Sequence, residues 1–250
     1  GKYTQRPDAY LSVIEALHHS GVAFGRHVNI ELVDGENLDE SDVEQVLGRA
    51  DGILVPGGFG IRGLEGKILA AHRARTKKVP FLGICLGLQV AVCEYARNVA
   101  DMPGASSTEF VPDCEYPVID LMPDQEDVTA KGGTMRLGAY PCKVADDTLA
   151  REAYGESLVY ERHRHRYEVN NTFRERLQQA GLRVSGVSPD DRLVEMVELP
   201  EDVHPWFVAA QFHPEFKSRP TRPQPLFREF VRASIAHHEG VDRHEVTPEA

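Results

Sequence analysis

The 250-residue chain has only four cysteines, and Cys85, Cys93, Cys114 and Cys142 include no close pair. That spacing excludes a cysteine-built metal site, and a chain this long needs no disulfide staples, so a reducing cytosol is the expected compartment. Basic residues are also short: 28 Lys and Arg stand against 39 Asp and Glu, for a net charge of −11 and a pI near 5.5. Such a balance argues against a nucleic-acid or anionic-membrane surface, and neither partner is expected. No apolar run approaches the ~20 residues of a membrane span, and the N-terminus has no signal-peptide core. The chain begins with Gly1 instead of methionine, and Gly1-Lys2-Tyr3 reads as the end of a strand, so a piece of something longer is expected.

What remains is enough for a full core, since 41% of the residues are hydrophobic. A first helix is expected from Pro7 through Tyr10, Val13, Ile14 and Leu17, with Gly21 as its stop. Val28, Ile30 and Leu32 alternate as a strand, and Ser41 with Glu44 has the spacing of a capping box before Val43, Val46 and Leu47. Ile53 to Val55, Val79 to Ile84 and Trp206 to Ala210 are short apolar runs, the first two with helical patterns directly after them. Repeated strand–helix units predict an α/β fold: a doubly wound, mostly parallel, flavodoxin-like sheet flanked by helices, with its site at the carboxyl ends of the strands. Pro117 to Leu121, Thr134 to Leu137 and Leu193 to Val197 suggest an antiparallel extension. A helix over Asn171 to Ala180 and a closing helix through Leu226 to Ile235 complete a single domain over 1–237, and the polar residues 238–250 are expected to fray as a tail.

Three stretches carry chemistry. In Gly83-Ile84-Cys85-Leu86-Gly87 a cysteine between two glycines joins an apolar run to an amphipathic segment, the pattern of a nucleophile elbow. The glycines let strand and helix approach closely, and the helix N-terminus favours a thiolate. The alternative reading of Cys85 is a small buried hydrophobe. In His213-Pro214-Glu215 the i, i+2 spacing lets a carboxylate orient an imidazole, the base that a cysteine nucleophile requires. Gly57-Gly58 offers backbone N–H groups for an oxyanion, with the N–H of Leu86 as the second donor; the alternative is that Pro56-Gly57-Gly58 only turns the chain.

Together, Val55-Pro56-Gly57-Gly58-Phe59-Gly60, the Cys85 elbow through Gln89, and Gln211-Phe212-His213-Pro214-Glu215 resemble the three motifs of class I glutamine amidotransferases. Gly57 to Lys67, Ser107-Thr108-Glu109-Phe110-Val111-Pro112, Gly132-Gly133-Thr134-Met135-Arg136-Leu137-Gly138 and Glu161 to Asn170 further resemble the amidotransferase domain of the CTP synthase family. The resemblance covers nearly all of the chain apart from the tail. It implies a ligase that makes CTP from UTP, ATP and glutamine, with Cys85, His213 and Glu215 as the catalytic triad of the glutaminase step. Gly58, Leu86, Gln89, Glu109, Arg166 and Tyr167 would bind glutamine, Glu109 meeting its ammonium and Arg166 its carboxylate, and Phe59 and Arg62 would belong to an effector or lid loop. It implies no cofactor or metal in this domain, ATP and Mg²⁺ on an N-terminal synthetase domain absent from this chain, GTP as allosteric activator, a homo-oligomer (a tetramer) formed through that domain, and a cytoplasmic enzyme.

Two chemical points stand beside the resemblance. Free glutamine carries an ammonium and a carboxylate, which an anionic acceptor and a bidentate arginine suit. Alternation places Arg162, Arg164 and Arg166 on one face and His163 and His165 on the other, which fits a substrate pocket better than a nucleic-acid groove. Competing expectations are another class I amidotransferase, a stand-alone glutamyl hydrolase, and an inactive regulatory domain of the same fold. The last would lack one of Cys85, His213 or Glu215, and all three are present.

Overall fold

A computed structural model describes residues 1–121 and 135–249. In chain order its elements are α1 (Leu11–Ala23), α2 (Val43–Leu47), β1 (Ile53–Val55), α3 (Leu64–Lys77), β2 (Phe81–Ile84), α4 (Leu86–Asn98), β3 (Ser106–Ser107), β4 (Pro117–Leu121), β5 (Arg136–Val144), α5 (Leu149–Tyr154), β6 (Leu158–His165), β7 (Tyr167–Val169), α6 (Asn171–Gln179), β8 (Arg183–Val187), β9 (Val194–Glu198), β10 (Phe207–Ala210) and α7 (Pro225–Glu239). A seven-stranded sheet runs β1-β2-β10-β9-β8-β5-β6, and a small second sheet pairs β3, β4 and β7. The pairs β1–β2 and β2–β10 are parallel, whereas β10–β9, β9–β8, β8–β5 and β5–β6 are antiparallel. A parallel layer thus continues into the antiparallel extension that the sequence suggests.

The strand period of two explains the covering on both faces. Phe81, Phe207 and Ala209 join a core with Val55 and residues of α3 and α4, while Leu82, Ile84, Val208 and Ala210 point into a second core with α1, α5 and α7. Phe81 and Phe207, paired in register, stack with ring centroids 4.5 Å apart. Because β2 and β10 are buried on both sides, their carboxyl ends are held rigidly, and the Cys85 elbow and the turn to His213 start there.

Several local expectations need correction. Gly21 lies inside α1, which ends at Phe24 and Gly25, the latter with φ of 58°. Val28, Ile30 and Leu32 are half-buried and Asn29 and Glu31 exposed, as alternation requires, yet the stretch lies in no ladder. Alternation fixes which side chains turn inward, but a strand also needs a neighbouring backbone with matching donors. Gly1 to Tyr3 lie in no ladder either, although Gly1 donates to Val33 O (2.9 Å) and accepts from Gly35 N (2.8 Å). Ser41 does not cap α2; its N–H and hydroxyl donate to Asp39 (2.7 and 2.6 Å). The extension strand starts at Arg136, and the start expected at Thr134, with the Gly132-Gly133 part of its motif, lies outside the described residues.

The tail departs most from expectation. α7 runs on to Glu239, Gly240 (φ 68°) closes it, and a short turn at Arg243–Glu245 follows. The buried Arg243 side chain pairs with Glu152 (2.6 Å) and Glu201, Val246 packs on the core, and Glu249 N donates to Ala23 O (2.9 Å). A polar composition suggested fraying; one buried arginine shared by three carboxylates, Glu229 (3.7 Å) being the third, anchors the segment instead.

Candidate active site

Cys85 leaves β2 with φ 54° and ψ −103°, outside the regions open to an ordinary L-residue. Such a residue costs on the order of 1–3 kcal/mol and persists because its surroundings fix it. Here Cys85 N donates to Ala210 O (2.7 Å), and Cys85 O accepts from Leu88 N (3.0 Å) and Gln89 N (3.3 Å) in the first turn of α4. The neighbouring glycines are steric necessities. A Cβ on Gly83 would come within 2.7 Å of Gly87 O, one on Gly87 would overlap Val55 O, and one on Gly57 would sit 2.7 Å from His213 Cε1 and 3.5 Å from Cys85 Cβ. The turn after β1, the elbow after β2 and the turn after β10 therefore converge with no room to spare.

His213 N donates to Arg162 O (2.7 Å), which ties the end of β10 to β6. Its Nδ1 lies 2.8 Å from Glu215 Oε1, leaving Nε2 for the thiol. Burial opposes charge on His213, but contact with Cys85 and Glu215 outweighs it and lifts the pKa to about 10. The imidazole is thus charged at neutral pH beside a cysteine, an arrangement suited to a thiolate nucleophile and a proton for a leaving nitrogen. Leu86 opens α4, so its N–H has no intrahelical acceptor and is available to an oxyanion.

The residues assigned to glutamine fall into two groups. Glu109, Arg166 and Tyr167 feel one another's charges. Burial raises the Glu109 pKa, while a hydrogen bond from Gly60 N (3.0 Å), Lys2 and Arg166 act against that rise. Gln89 is instead buried, its Nε2 donating to Tyr167 O (3.2 Å) and Gln211 Oε1 (3.3 Å), so its amide is committed inside the protein. Phe59 is 44% exposed with the Arg164 guanidinium 5.7 Å from its ring centre, and Lys2 Nζ donates to its carbonyl. Arg62 reaches Lys2 O (3.2 Å) and Glu36 (3.5 Å), on the outer side of the same loop.

Sequence reading missed two features. Gln211, fully buried, donates from Nε2 to Cys85 Sγ (3.8 Å); its place two residues before His213 was the available signal. Behind β6, Arg136 pairs with Glu195 (2.6 Å) and Glu168 (3.5 Å), and His163 Nδ1 lies 2.8 Å from His165 Nε2. As alternation predicted, both histidines face inward and Arg162 and Arg164 outward, whereas Arg166, placed with those two, lies past the end of β6 and is half-buried; the histidines meet this buried network.

The pattern of the family "Glutamine amidotransferase class-I" matches residues 6–233. The CTP synthase of Carboxydothermus hydrogenoformans is 61% identical, and that of Bacillus velezensis 57%, each over 235 residues, or 94% of this chain. The chain spans 44% of the length of both. The solved structure of the Trypanosoma brucei CTPS glutaminase domain with bound acivicin is 39% identical with a TM-score of 0.87, over 94% of this chain and 91% of that one. The chain belongs to the class I glutamine amidotransferase family, and its sequence and fold match those of CTP synthase glutaminase domains.

Proposed function

We propose that this chain hydrolyses L-glutamine as the glutaminase part of a CTP synthase. The observation that carries the reading is the strained Cys85, φ 54° and ψ −103°, held against an imidazole that Glu215 orients at 2.8 Å. Cys85 Sγ, its proton on His213, attacks the side-chain carboxamide carbon. A C–S bond forms, and the carbonyl oxygen becomes an oxyanion met by the N–H groups of Gly58 and Leu86. Collapse breaks the C–N bond as His213 Nε2 gives its proton to the departing nitrogen, which leaves as ammonia. Water, deprotonated by His213, then cleaves the thioester to glutamate and free Cys85. Glu109 holds the substrate ammonium, Arg166 and Tyr167 its carboxylate end, and Gln89 supports the pocket from behind.

The ammonia would pass to a synthetase domain, the part of the longer relatives that this chain does not span. There UTP would be aminated with ATP and Mg²⁺, and the enzyme would assemble, as a tetramer, through that part. GTP would act at the loop Phe59 to Gly66 with Arg62, which bonds to Lys2 and Glu36 from outside the pocket. The test is to incubate the chain with glutamine and measure glutamate and ammonia, with and without GTP, and to map the adduct of 6-diazo-5-oxo-norleucine by mass. We expect slow hydrolysis and an adduct on Cys85; an adduct on Cys93, Cys114 or Cys142 would overturn the assignment.

A further inference from the structure

We propose that Gln211 is a positioning residue for the nucleophile: its side-chain N–H holds the Cys85 sulfur as an anion in the attacking position, and Gln89 locks that amide the right way round. This deepens the glutaminase reading and rests on it.

The orientation of the amide follows from a fixed acceptor. Gln89 Nε2 lies 3.2 Å from Tyr167 O, a backbone carbonyl that can only accept, so this end of the Gln89 amide must be its NH₂. The same NH₂ lies 3.3 Å from the Gln211 amide, which must therefore present its oxygen there. Gln211 is left with its own NH₂ toward Cys85 Sγ, 3.8 Å away. A flipped Gln211 would set one NH₂ against another and turn a carbonyl oxygen toward the sulfur, which would disfavour an anion. Both glutamines are buried, and Gln211 N donates to Glu195 O (2.8 Å), so the frame is rigid.

The sulfur is thereby held from two sides. His213 is the titratable group in direct contact and Glu215 acts through it, while Arg164 faces Cys85 with its carbonyl (3.9 Å) and not its charge. The Gln211 N–H is a neutral donor that stays in place after His213 has given its proton to the leaving nitrogen. It then serves the thiolate that must depart when the thioester is cleaved. Because the chain of bonds ends at Tyr167 O, a residue beside Arg166 and Glu109, substrate binding by those side chains and alignment of the sulfur share one linkage.

The test uses the full chain with Gln211→Met, which keeps length and removes the donor, Gln211→Glu, which keeps shape and adds an anion, and Gln89→Met, which frees the amide to turn. Each is titrated with iodoacetamide at Cys85 from pH 5 to 10, and kcat and KM for glutamine are measured. For Gln211→Met we expect the alkylation midpoint to rise by about one pH unit, with kcat down roughly tenfold and KM within about twofold, the scale of one hydrogen bond to a charged group. Gln211→Glu should shift the midpoint further, and Gln89→Met less, in the same direction. A midpoint unmoved in Gln211→Met and Gln89→Met, with melting temperatures near that of the native chain, overturns the proposal and leaves Gln211 as packing. A Gln211→Met chain that does not fold leaves Gln89→Met to decide by the same sign. Alkylation does not depend on glutamine, so a native chain with no glutaminase activity would sink the functional reading separately.

Discussion

Two histidines close together in the fold, half-buried His213 after β10 and buried His163 on β6, carry different charge states. His213 is lifted to about 10, while His163 is pushed down to about 2, by burial first and then by Arg136. They are close in the fold: His213 N bonds to Arg162 O, and the His163 ring meets Phe212 edge-on at 5.7 Å. Each also has a glutamate nearby. Glu215 lies 2.8 Å from His213, whereas Glu195 is 3.7 Å from His163 and already 2.6 Å from Arg136. Burial alone therefore does not set the charge. What differs is the partners: Cys85 first and then the uncommitted Glu215 raise His213, whereas the glutamate near His163 is committed to Arg136. One strand separates a charged pair built for proton transfer from a network whose imidazoles stay neutral.

The largest way to break the contrast is to remove the charged pair. Cys85→Ala or His213→Ala should lower glutamine turnover on the order of 10⁴-fold or more, since such residues act as a unit. Cys142 is also buried, with its thiol pushed up by burial and by Glu195 and Glu161, and Cys142→Ala should keep turnover within about threefold. Steady-state ammonia release measures both. Equal losses at the two cysteines would show that burial, and not the His213 contact, is what matters.

Removing the committed cation comes next. Arg136→Met leaves Glu195 and Glu168 buried without their partner and should destabilise the fold by about 3–5 kcal/mol. Equilibrium urea unfolding at pH 7 would read it. A change under about 1 kcal/mol, small for a buried ion pair, would mean that the two carboxyls simply take up protons and that Arg136 does not hold them as a charged pair.

How much of this was legible in the sequence follows from the range of each contact. Cys85, His213 and Glu215 could be read because an elbow and an i, i+2 pair are local geometry carried by adjacent residues. The place of Leu86 as the first residue of α4 came with the elbow, being defined by neighbouring backbone. The Gln89 contacts to Tyr167 and Gln211 span 78 and 122 positions, and Arg136 meets Glu195 across 59, so neither had a local signature. Alternation also sorted the faces of β6 correctly yet could not say that the inner histidines meet a salt-bridged network. The stretch Val28 to Leu32 shows the converse failure, a correct pattern of burial without a ladder, and the tail shows how one buried arginine overrides composition.

The proposed glutamine site lies between the two regions in character. Glu109 and Arg166 sense each other and are proposed to divide when substrate arrives, one to the ammonium and one to the carboxylate. Arg166→Ala or Glu109→Gln should cost roughly 2–4 kcal/mol in kcat/KM, mostly through KM. Alkylation of Cys85 by iodoacetamide should be unchanged; a parallel loss would mean the elbow itself had been disturbed.

The smallest expected effect tests the comparison most directly. Glu215→Gln replaces the uncommitted carboxylate with a neutral amide of the same shape, so His213 keeps its burial and loses an anion at 2.8 Å. With its support reduced to Cys85, the imidazole should release its proton well below the native value near 10. The sign for activity follows: His213 must carry a proton for the leaving nitrogen, so the basic limb of kcat/KM against pH should move down by about 1–2 units, a loss of about 1–3 kcal/mol at the old limb. The same sign governs stability. A histidine raised in the folded state contributes its full stabilisation below the unfolded value near 6.5 and loses it as pH rises through about 10, and in the variant that loss should occur at lower pH. His163→Gln is the matching control, because an imidazole that is already neutral has no proton to lose on that limb. Profiles from pH 6 to 10.5 for the native chain and both variants separate the outcomes. If Glu215→Gln leaves the limb in place, or His163→Gln moves it as far, an uncommitted carboxylate is not what distinguishes the two histidines.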